Sequence, residues 1–410
     1  MTMAADKQDK VLNVPTLRFP EFSGEWHRTT IGECCSPLEY GMNAPAKEYD
    51  GKNKYIRITD IDEETCTYKY DDVVSPNALL EEKYKVLDND ILFARTGAST
   101  GKAYLYDKKD GLMYYAGFLI RGNVKPDFNS KFVFLQTQTQ KYKKWVDIMS
   151  IRSGQPGINS QEYSSFKFHL PPSKVEQDKI STLFTLLDVR ITTQIRIIEK
   201  LKSLMKGLND YLQDSMPLSY SLSFSDIGED YSGLSGKAAE DFGGGKPYIT
   251  YVCIYANNFV DDDCCDKVSI DRGEKQNIVL KGDMLFTLSS ETPEEVCYGA
   301  VYSGNNAETY LNSFCFGVRN IDGKVFSPYM AYFFNSSRFR REVYPLAQGS
   351  TRFNLQKSDF LKKQFSYPSI DDQHRIFEIL NAYDNKLKVE NQILAHYQHQ
   401  KEFLLRNLLI

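Results

Sequence analysis

The chain has no C-x2-C pair, no apolar run approaching the ~18 residues that cross a bilayer, and no excess of basic charge. Each absence removes a class of function. Its eight cysteines fall as two adjacent pairs, Cys34-Cys35 and Cys264-Cys265, and as the isolated Cys66, Cys253, Cys297 and Cys315. That spacing offers no structural zinc site, and reduced, mostly buried thiols are expected. Met1 to Lys10 is polar and lacks the apolar core of a signal peptide, so residues 1–13 read as a flexible tail and a cytoplasmic location follows. The net charge of −4 excludes binding of nucleic acid by bulk charge and requires any such role to rest on locally concentrated basic residues.

Catalytic patterns are missing as well. Gly97-Ala-Ser-Thr-Gly101-Lys102 is one residue short of a P-loop, and Ala103 stands where a magnesium-binding hydroxyl is needed. Asp241-Phe-Gly-Gly-Gly245 precedes a strand pattern instead of following one, and no Asn-Pro-Pro-Tyr or Asp-Pro-Pro-Tyr tetrad for adenine methylation occurs. The acidic runs Glu81-Glu82 and Asp261-Asp-Asp263 lack the arrangement of a metal-dependent nuclease. His27, His169, His374, His396 and His399 form no set with a nucleophile, and His396 and His399 read as a solvated helix face in preference to a metal site.

What the sequence does have is a repeat. Val86-Leu-Asp-Asn-Asp-Ile-Leu-Phe93 returns as Val279-Leu-Lys-Gly-Asp-Met-Leu-Phe286. Lys141-x-Lys-Lys144 returns as Arg338-x-Arg-Arg341, and Gly154-x4-Asn159-x-Gln161 as Gly349-x4-Asn354-x-Gln356. Glu176-Gln177-x-x-Ile180 returns as Asp372-Gln373-x-x-Ile376, and Leu187-Asp188 as Tyr383-Asp384. Ordered matches at a near-constant spacing of roughly 195 residues are the mark of a duplicated unit. A chain of 410 residues also exceeds one compact core, so two domains are expected.

Within each copy Tyr55–Thr59, Asp90–Ala94, Tyr248–Val252 and Asp283–Thr287 read as short strands. Lys131–Asp147 and Pro328–Val343 read as helical stretches carrying the basic clusters. Each copy then ends in about 40 residues with apolar positions three, four or seven apart, the spacing of a coiled-coil seam. The expected seam is Leu187, Ile191, Gln194, Ile198 and Leu201 on the first helix, and Tyr383, Leu387, Glu390, Leu394 and Tyr397 on the second. Gln194 and Glu390 occupy equivalent polar positions, of the kind that fix register at some cost in stability. Helices of roughly 60 Å at 1.5 Å per residue cannot bury such stripes locally, and each copy supplies the other's partner. The boundaries expected are 1–172 for the first domain, 173–215 for its helix, 216–368 for the second domain and 369–410 for its helix. The fold class is α+β: two tandem pseudo-symmetric α/β domains, with the two helices packed as an antiparallel coiled coil.

Two readings fit the recurrent basic clusters: neutralising phosphates on a duplex, or keeping a helix face solvated. The amide and hydroxyl residues of the Gly154 and Gly349 loops suit base-edge hydrogen bonding. Asn159 and Asn354 equally suit turn capping, and their recurrence favours that role.

Val14-Pro-Thr-Leu-Arg-Phe-Pro-Glu-Phe-Ser-Gly-Glu-Trp26, Asp90-Ile-Leu-Phe-Ala-Arg-Thr-Gly97, the Gly154…Asn159 loop and Leu170-Pro-Pro-x-x-x-Glu-Gln177-x-x-Ile180 together carry a resemblance. From about residue 14 to 410 the chain resembles a specificity subunit of a Type I restriction–modification system. The resemblance implies a non-catalytic DNA-recognition subunit whose two target recognition domains each read half of a bipartite asymmetric sequence. It implies two methyltransferase subunits and restriction subunits as partners, no membrane, and no cofactor in this chain. S-adenosylmethionine, ATP and magnesium would belong to the partner subunits. Residues expected near DNA are Arg95, Lys102, Lys141, Lys144, Arg152, Arg319, Arg338, Arg341 and Arg352. The second copy departs from the pattern where Leu288-Ser-Ser290 replaces Arg95-Thr-Gly97. The competing classes are a self-contained DNA-modifying or restriction enzyme and a duplicated scaffold without a DNA role.

Overall fold

The structure, a computed structural model, describes residues 13–152 and 154–410. The expected tail of residues 1–13 therefore lies outside the described residues except for Asn13. The chain divides into two units, Met1–Arg196 with Gln392–Ile410, and Ile197–Asn391.

The first unit is built on a four-stranded sheet of β2 (Glu39–Tyr40), β5 (Leu119–Asn123), β3 (Asp90–Ala94) and β4 (Ala103–Leu105), in that spatial order. Strand β3 is buried at every residue, as a continuous apolar run covered on both faces should be. A ribbon of β1 (His27–Thr30) and β6 (Lys167–Leu170) runs antiparallel beside it. Between β5 and β6 lie three helices, α1 (Ser130–Gln136), α2 (Gln140–Met149) and α3 (Ser160–Ser164). The long helix α4 (Lys174–Ser215) follows.

The second unit repeats this plan. Its five-stranded sheet runs β8 (Gly228–Ser232), β13 (Cys315–Asn320), β10 (Met284–Thr287), β12 (Gly299–Tyr302) and β9 (Phe259–Val260). The ribbon is β7 (Leu218–Leu222) with β16 (Phe365–Pro368). Helices α6 (Ser327–Phe333), α7 (Ser337–Val343) and α8 (Lys357–Lys362) correspond to α1, α2 and α3, and the long helix α9 (Ile370–Leu408) ends the unit. Its core is an aromatic cluster in which Phe360 lies 4.7 Å from Phe224 and 5.1 Å from Phe286 between ring centroids.

Four local expectations are corrected. Each basic helical stretch is two helices, because Thr139 and Ser336 accept the backbone N–H of Tyr142 and Phe339 and start a new helix there. Residues 248–252 are strand only to Ile249, since the Thr250 side chain caps a short helix, α5 (Tyr251–Ala256). Residues 55–59 are strand only to Ile56, and a 3-10 turn, Ile58–Asp60, follows. The all-reduced thiols fail at Cys253 and Cys264, which the fold joins as a disulfide with Cα atoms 6.1 Å apart. Local spacing could not reveal that pair, because a helix and a separate turn bring the two together.

The two long helices pack together antiparallel. Within the first unit, Ile180 and Phe184 of α4 share a core with Leu405 and Leu408 of α9. Within the second, Leu212 near the end of α4 shares one with Ile376 and Leu380 near the start of α9. Leu187, Ile191, Gln194 and Ile198 are buried, while Leu201, Leu387, Glu390, Leu394 and Tyr397 are half-buried. Tyr383 departs from the expected seam: it is exposed, and the inward position belongs to Asp384, which accepts the Tyr332 hydroxyl at 2.7 Å. A four-residue step from Leu380 replaces the three-residue step read from the apolar pattern. Among the described residues no helix is long and apolar enough to cross a membrane.

The recurrent Glu/Asp-Gln pair at each helix start has a visible cause. Gln177 accepts the Asn129 N–H at 2.9 Å, and Gln373 accepts the Phe326 N–H at 2.8 Å. Each amide also donates to a proline carbonyl where the preceding ribbon strand ends, Pro171 just after β6 or Pro368 at the end of β16. The same side chain thus stitches sheet ribbon, helix pair and long helix in both units.

Asp188 carries a charge test. Burial alone would raise its pKa, but Lys131 at 2.6 Å and Lys401 at 2.8 Å outweigh burial and hold it below the usual carboxylate range. A depressed carboxylate contributes stability above its unfolded value near 4 and loses that contribution as pH falls through the folded value. Asp188→Asn is expected to unfold at lower urea than wild type at pH 7, with the difference narrowing below about pH 4.

Candidate nucleic-acid interface

In the first unit, the loop from Arg95 to Lys102 is held from beneath by two buried tyrosines. The Tyr163 hydroxyl donates to the Ala94 carbonyl at 2.6 Å and receives the Gly101 N–H at 3.1 Å, while the Tyr142 hydroxyl donates to the Gly101 carbonyl at 3.1 Å. Gly101 has φ +92°, and a Cβ there would stand 2.5 Å from a methyl of Val146, so any other residue would strain the turn and displace Val146. The N–H groups of Gly97, Thr100, Gly101 and Lys102 are bonded to Pro156, Gly97, Ala94 and Ser99 carbonyls. A loop whose amides are engaged internally cannot cradle phosphate in the manner of a P-loop.

Arg95 lies on top of this support. Its guanidinium stacks over the Tyr40 ring at 4.8 Å, and its buried Nε has no hydrogen-bond partner among the described residues. The Arg95 N–H donates to the Phe118 carbonyl at 3.0 Å, and its own carbonyl receives the Ile158 N–H at 2.9 Å. Phe118 is 60% exposed. Lys102 is paired with Glu63 at 3.2 Å.

In the second unit Leu288 takes the place of Arg95. Its N–H donates to the Phe314 carbonyl at 2.9 Å, and its carbonyl receives the Leu355 N–H at 2.8 Å. The cation lost at Leu288 returns from a different segment. Arg352 precedes strand β15 (Phe353–Leu355), which pairs with β11 (Ser289–Ser290) and β14 (Ala347–Gln348). Its guanidinium lies 5.6 Å from the Phe314 ring centroid and donates to Ser289 Oγ at 3.2 Å. Phe314 is 56% exposed. Each unit therefore ends in a loop cluster with one arginine and an exposed aromatic close by.

The other basic residues divide by what already holds them. Arg319 is bonded to Asp283 at 2.8 Å and to the Ile278 carbonyl at 2.7 Å. Arg338 donates to the Ser366 carbonyl at 2.9 Å and lies 3.8 Å from Glu342. Arg152 makes a two-pronged bond to Glu162, with both distances 2.7 Å. These three brace the fold. Lys141 is on the surface of α2 near Arg28, and partial desolvation together with that neighbour lowers its pKa. Lys144 and Arg341 are exposed and form no ion pair among the described residues.

Asn159 and Asn354 do not share a role. Asn159 is the N-cap of α3 in a reciprocal box with Glu162. Asn354 lies in β15 opposite Ser289, as Gly157 lies opposite Thr96, and the N-cap of α8 is Gln356. By this register Arg352 corresponds to Gln155, not to Arg152. Tyr40, Phe118 and Phe314 escaped a reading focused on charge. The signal for Phe118 and Phe314 in the sequence is the recurrence of a phenylalanine just before β5 and β13, and Tyr40 has no such signal.

A family model described as "Type I restriction modification DNA specificity domain" matches residues 25–203 and again 226–396. Among solved structures, a Type I restriction–modification S subunit from M. genitalium is 13% identical, with a TM-score of 0.57 over 97% of this chain and 99% of that one. A chain from a study titled as the structural basis of complex assembly and conformational transition of the type I R-M system is 14% identical. Its TM-score is 0.56 over 93% of this chain and 96% of that one. At those identities the likeness is one of fold.

Proposed function

We propose, from the premise that this chain belongs to the Type I restriction–modification DNA specificity family, that each unit reads one half of a bipartite DNA target and performs no chemistry itself. The observation that carries this reading is the exposed arginine–aromatic cluster, which occurs once in each unit although the two arginines come from different segments. A shared scaffold with divergent reading loops suits two half-sites of different sequence. Arg95 and Arg352 are the lead contacts to DNA, and Lys144 and Arg341, which have no acidic partner among the described residues, are phosphate contacts. Arg319, Arg338 and Arg152 act mainly by holding the loops and helices in place.

Methyltransferase subunits are the proposed partners, with restriction subunits joining them, in the cytoplasm. Support comes from apolar side chains left exposed on the long helices: Leu186, Val189, Leu204 and Tyr211 on α4, and Val389 and Phe403 on α9. S-adenosylmethionine, ATP and magnesium are then needs of the partners.

Binding to a duplex that carries the target tests the reading through its salt dependence. Each phosphate contact removed should reduce the slope of log affinity against log salt by about 0.9. Arg341→Ala is expected to weaken binding across sequences and to flatten the slope by about that amount. An unchanged affinity and slope would remove Arg341 from the interface.

A further inference from the structure

We propose that Phe118 and Phe314 are base-stacking probes, one for each half-site, that insert against a base step beside the arginine of the same loop cluster. The proposal deepens the DNA-reading function above and rests on it. A single exposed phenylalanine needs no explanation, because folded surfaces hold many. These two differ from that background in three respects.

The first is position. Phe118 lies in the turn closed by the Leu119 N–H donating to the Ala116 carbonyl at 2.8 Å, and Phe314 in the turn closed by the Cys315 N–H donating to the Asn312 carbonyl at 3.0 Å. Both occupy the third residue of a tight turn, where glycine, asparagine, aspartate and serine are the usual occupants. Turn geometry therefore gives no reason for an aromatic.

The second is persistence amid divergence. Ala116-Gly117 before Phe118 has become Asn312-Ser313, Leu119 has become Cys315, and Arg95 has become Leu288. The aromatic remains, and so does the bond from the loop amide to its carbonyl, 3.0 Å in one unit and 2.9 Å in the other. That bond fixes the backbone under each ring, so the ring projects from a rigid base at 60% and 56% exposure. Among the described residues, neither ring belongs to a hydrophobic core cluster of its unit.

The third is the neighbouring charge. Arg352 lies against the Phe314 ring, and Arg95 is bonded through its backbone to Phe118. At Phe314 a flat apolar ring lies beside a guanidinium, whereas the Arg95 guanidinium stacks on Tyr40 and shares only its backbone bond with Phe118. A ring and an arginine in one loop cluster match the alternation of base face and phosphate along a strand, and apolar side chains are known to wedge between base steps. Stacking accepts any base, so it tolerates the sequence divergence of the two half-sites.

The test uses the chain assembled with its methyltransferase subunits and duplexes carrying 2-aminopurine at successive positions of each half-site. Wild type is expected to raise fluorescence at one step in each half. Phe118→Ala should abolish the rise in one half only and weaken binding about tenfold, and Phe314→Ala should do the same in the other half. Phe→Trp at either position should retain both. Because the rings are exposed, thermal melting should be unchanged in all variants. Wild-type binding with unaltered affinity and fluorescence in both alanine variants overturns the probe assignment alone. Failure of wild type to bind any duplex overturns the DNA-reading function and the probes with it.

Discussion

Arg18→Ala should lower the stability of the first unit by about 3 kcal/mol, near the lower end of the cost of orphaning a buried charge. Arg18 grips Glu176 with two bonds of 2.7 and 2.8 Å, and the two side chains are 11% and 1% exposed. The guanidinium also donates to the Ser23 carbonyl at 3.0 Å, so it ties the segment before β1 to the first turn of α4. Once it is removed, the carboxylate keeps, among the described residues, the Trp26 indole N–H at 3.3 Å and the favourable field of the helix N-terminus. At roughly 2–4 °C per kcal/mol for a unit of this size, the melting point should fall by about 6–12 °C. Combining it with Glu176→Gln should recover part of the loss, because the orphaned charge goes as well. The second unit supplies the contrast. Asp372 holds the equivalent place, but its partner Arg375 is 72% exposed, and Asp372→Asn should cost less than about 1 kcal/mol beyond the loss of its Ser369 cap.

Arg95→Ala and Arg352→Ala, made separately in the assembled complex, should each weaken recognition of one half-site by about 1–3 kcal/mol, roughly five- to 150-fold. The two variants should act on opposite halves. A larger effect is expected here than at Arg341 because these side chains are already oriented. Arg95 is stacked on Tyr40 with a buried Nε that none of the described residues satisfies, and Arg352 is bonded to Ser289. Base substitutions scanned through each half-site check the assignment. Loss of discrimination in both halves from a single variant would mean that the arginine acts on the complex as a whole.

The duplication, the sheet strands around Asp90 and Asp283 and the two long helices were legible in the sequence because each rests on a pattern longer than one turn. Repeated residues were legible as positions but not as roles. Gln177 and Gln373 repeat one set of bonds, whereas Asn159 and Asn354 belong to a cap and a strand. Only the register of the Thr96–Gly157 bridge against the Ser289–Asn354 pair reveals that the two loops are out of step. Helix breaks at Thr139 and Ser336 were missed because capping hydroxyls interrupt a stretch without changing its apolar period. Tyr383 was misplaced because a tyrosine counts as apolar in a seam, while Asp384 is drawn inward by a hydroxyl from another helix. Among the basic residues, charge alone did not separate Arg319 and Arg338, which hold carboxylates and carbonyls, from Lys144 and Arg341, which hold none among the described residues. Phe118 and Phe314 were invisible to a search for charge.

The central claim, one half-site per unit, is tested most directly by sequencing the methylome of a host that expresses this chain with its methyltransferase subunit. The account predicts a new bipartite motif with a fixed gap, methylated on adenine in both strands, and altered in one half only by Arg95→Ala or Arg352→Ala. An assembled complex that leaves no new motif, or one continuous motif without a gap, would contradict it.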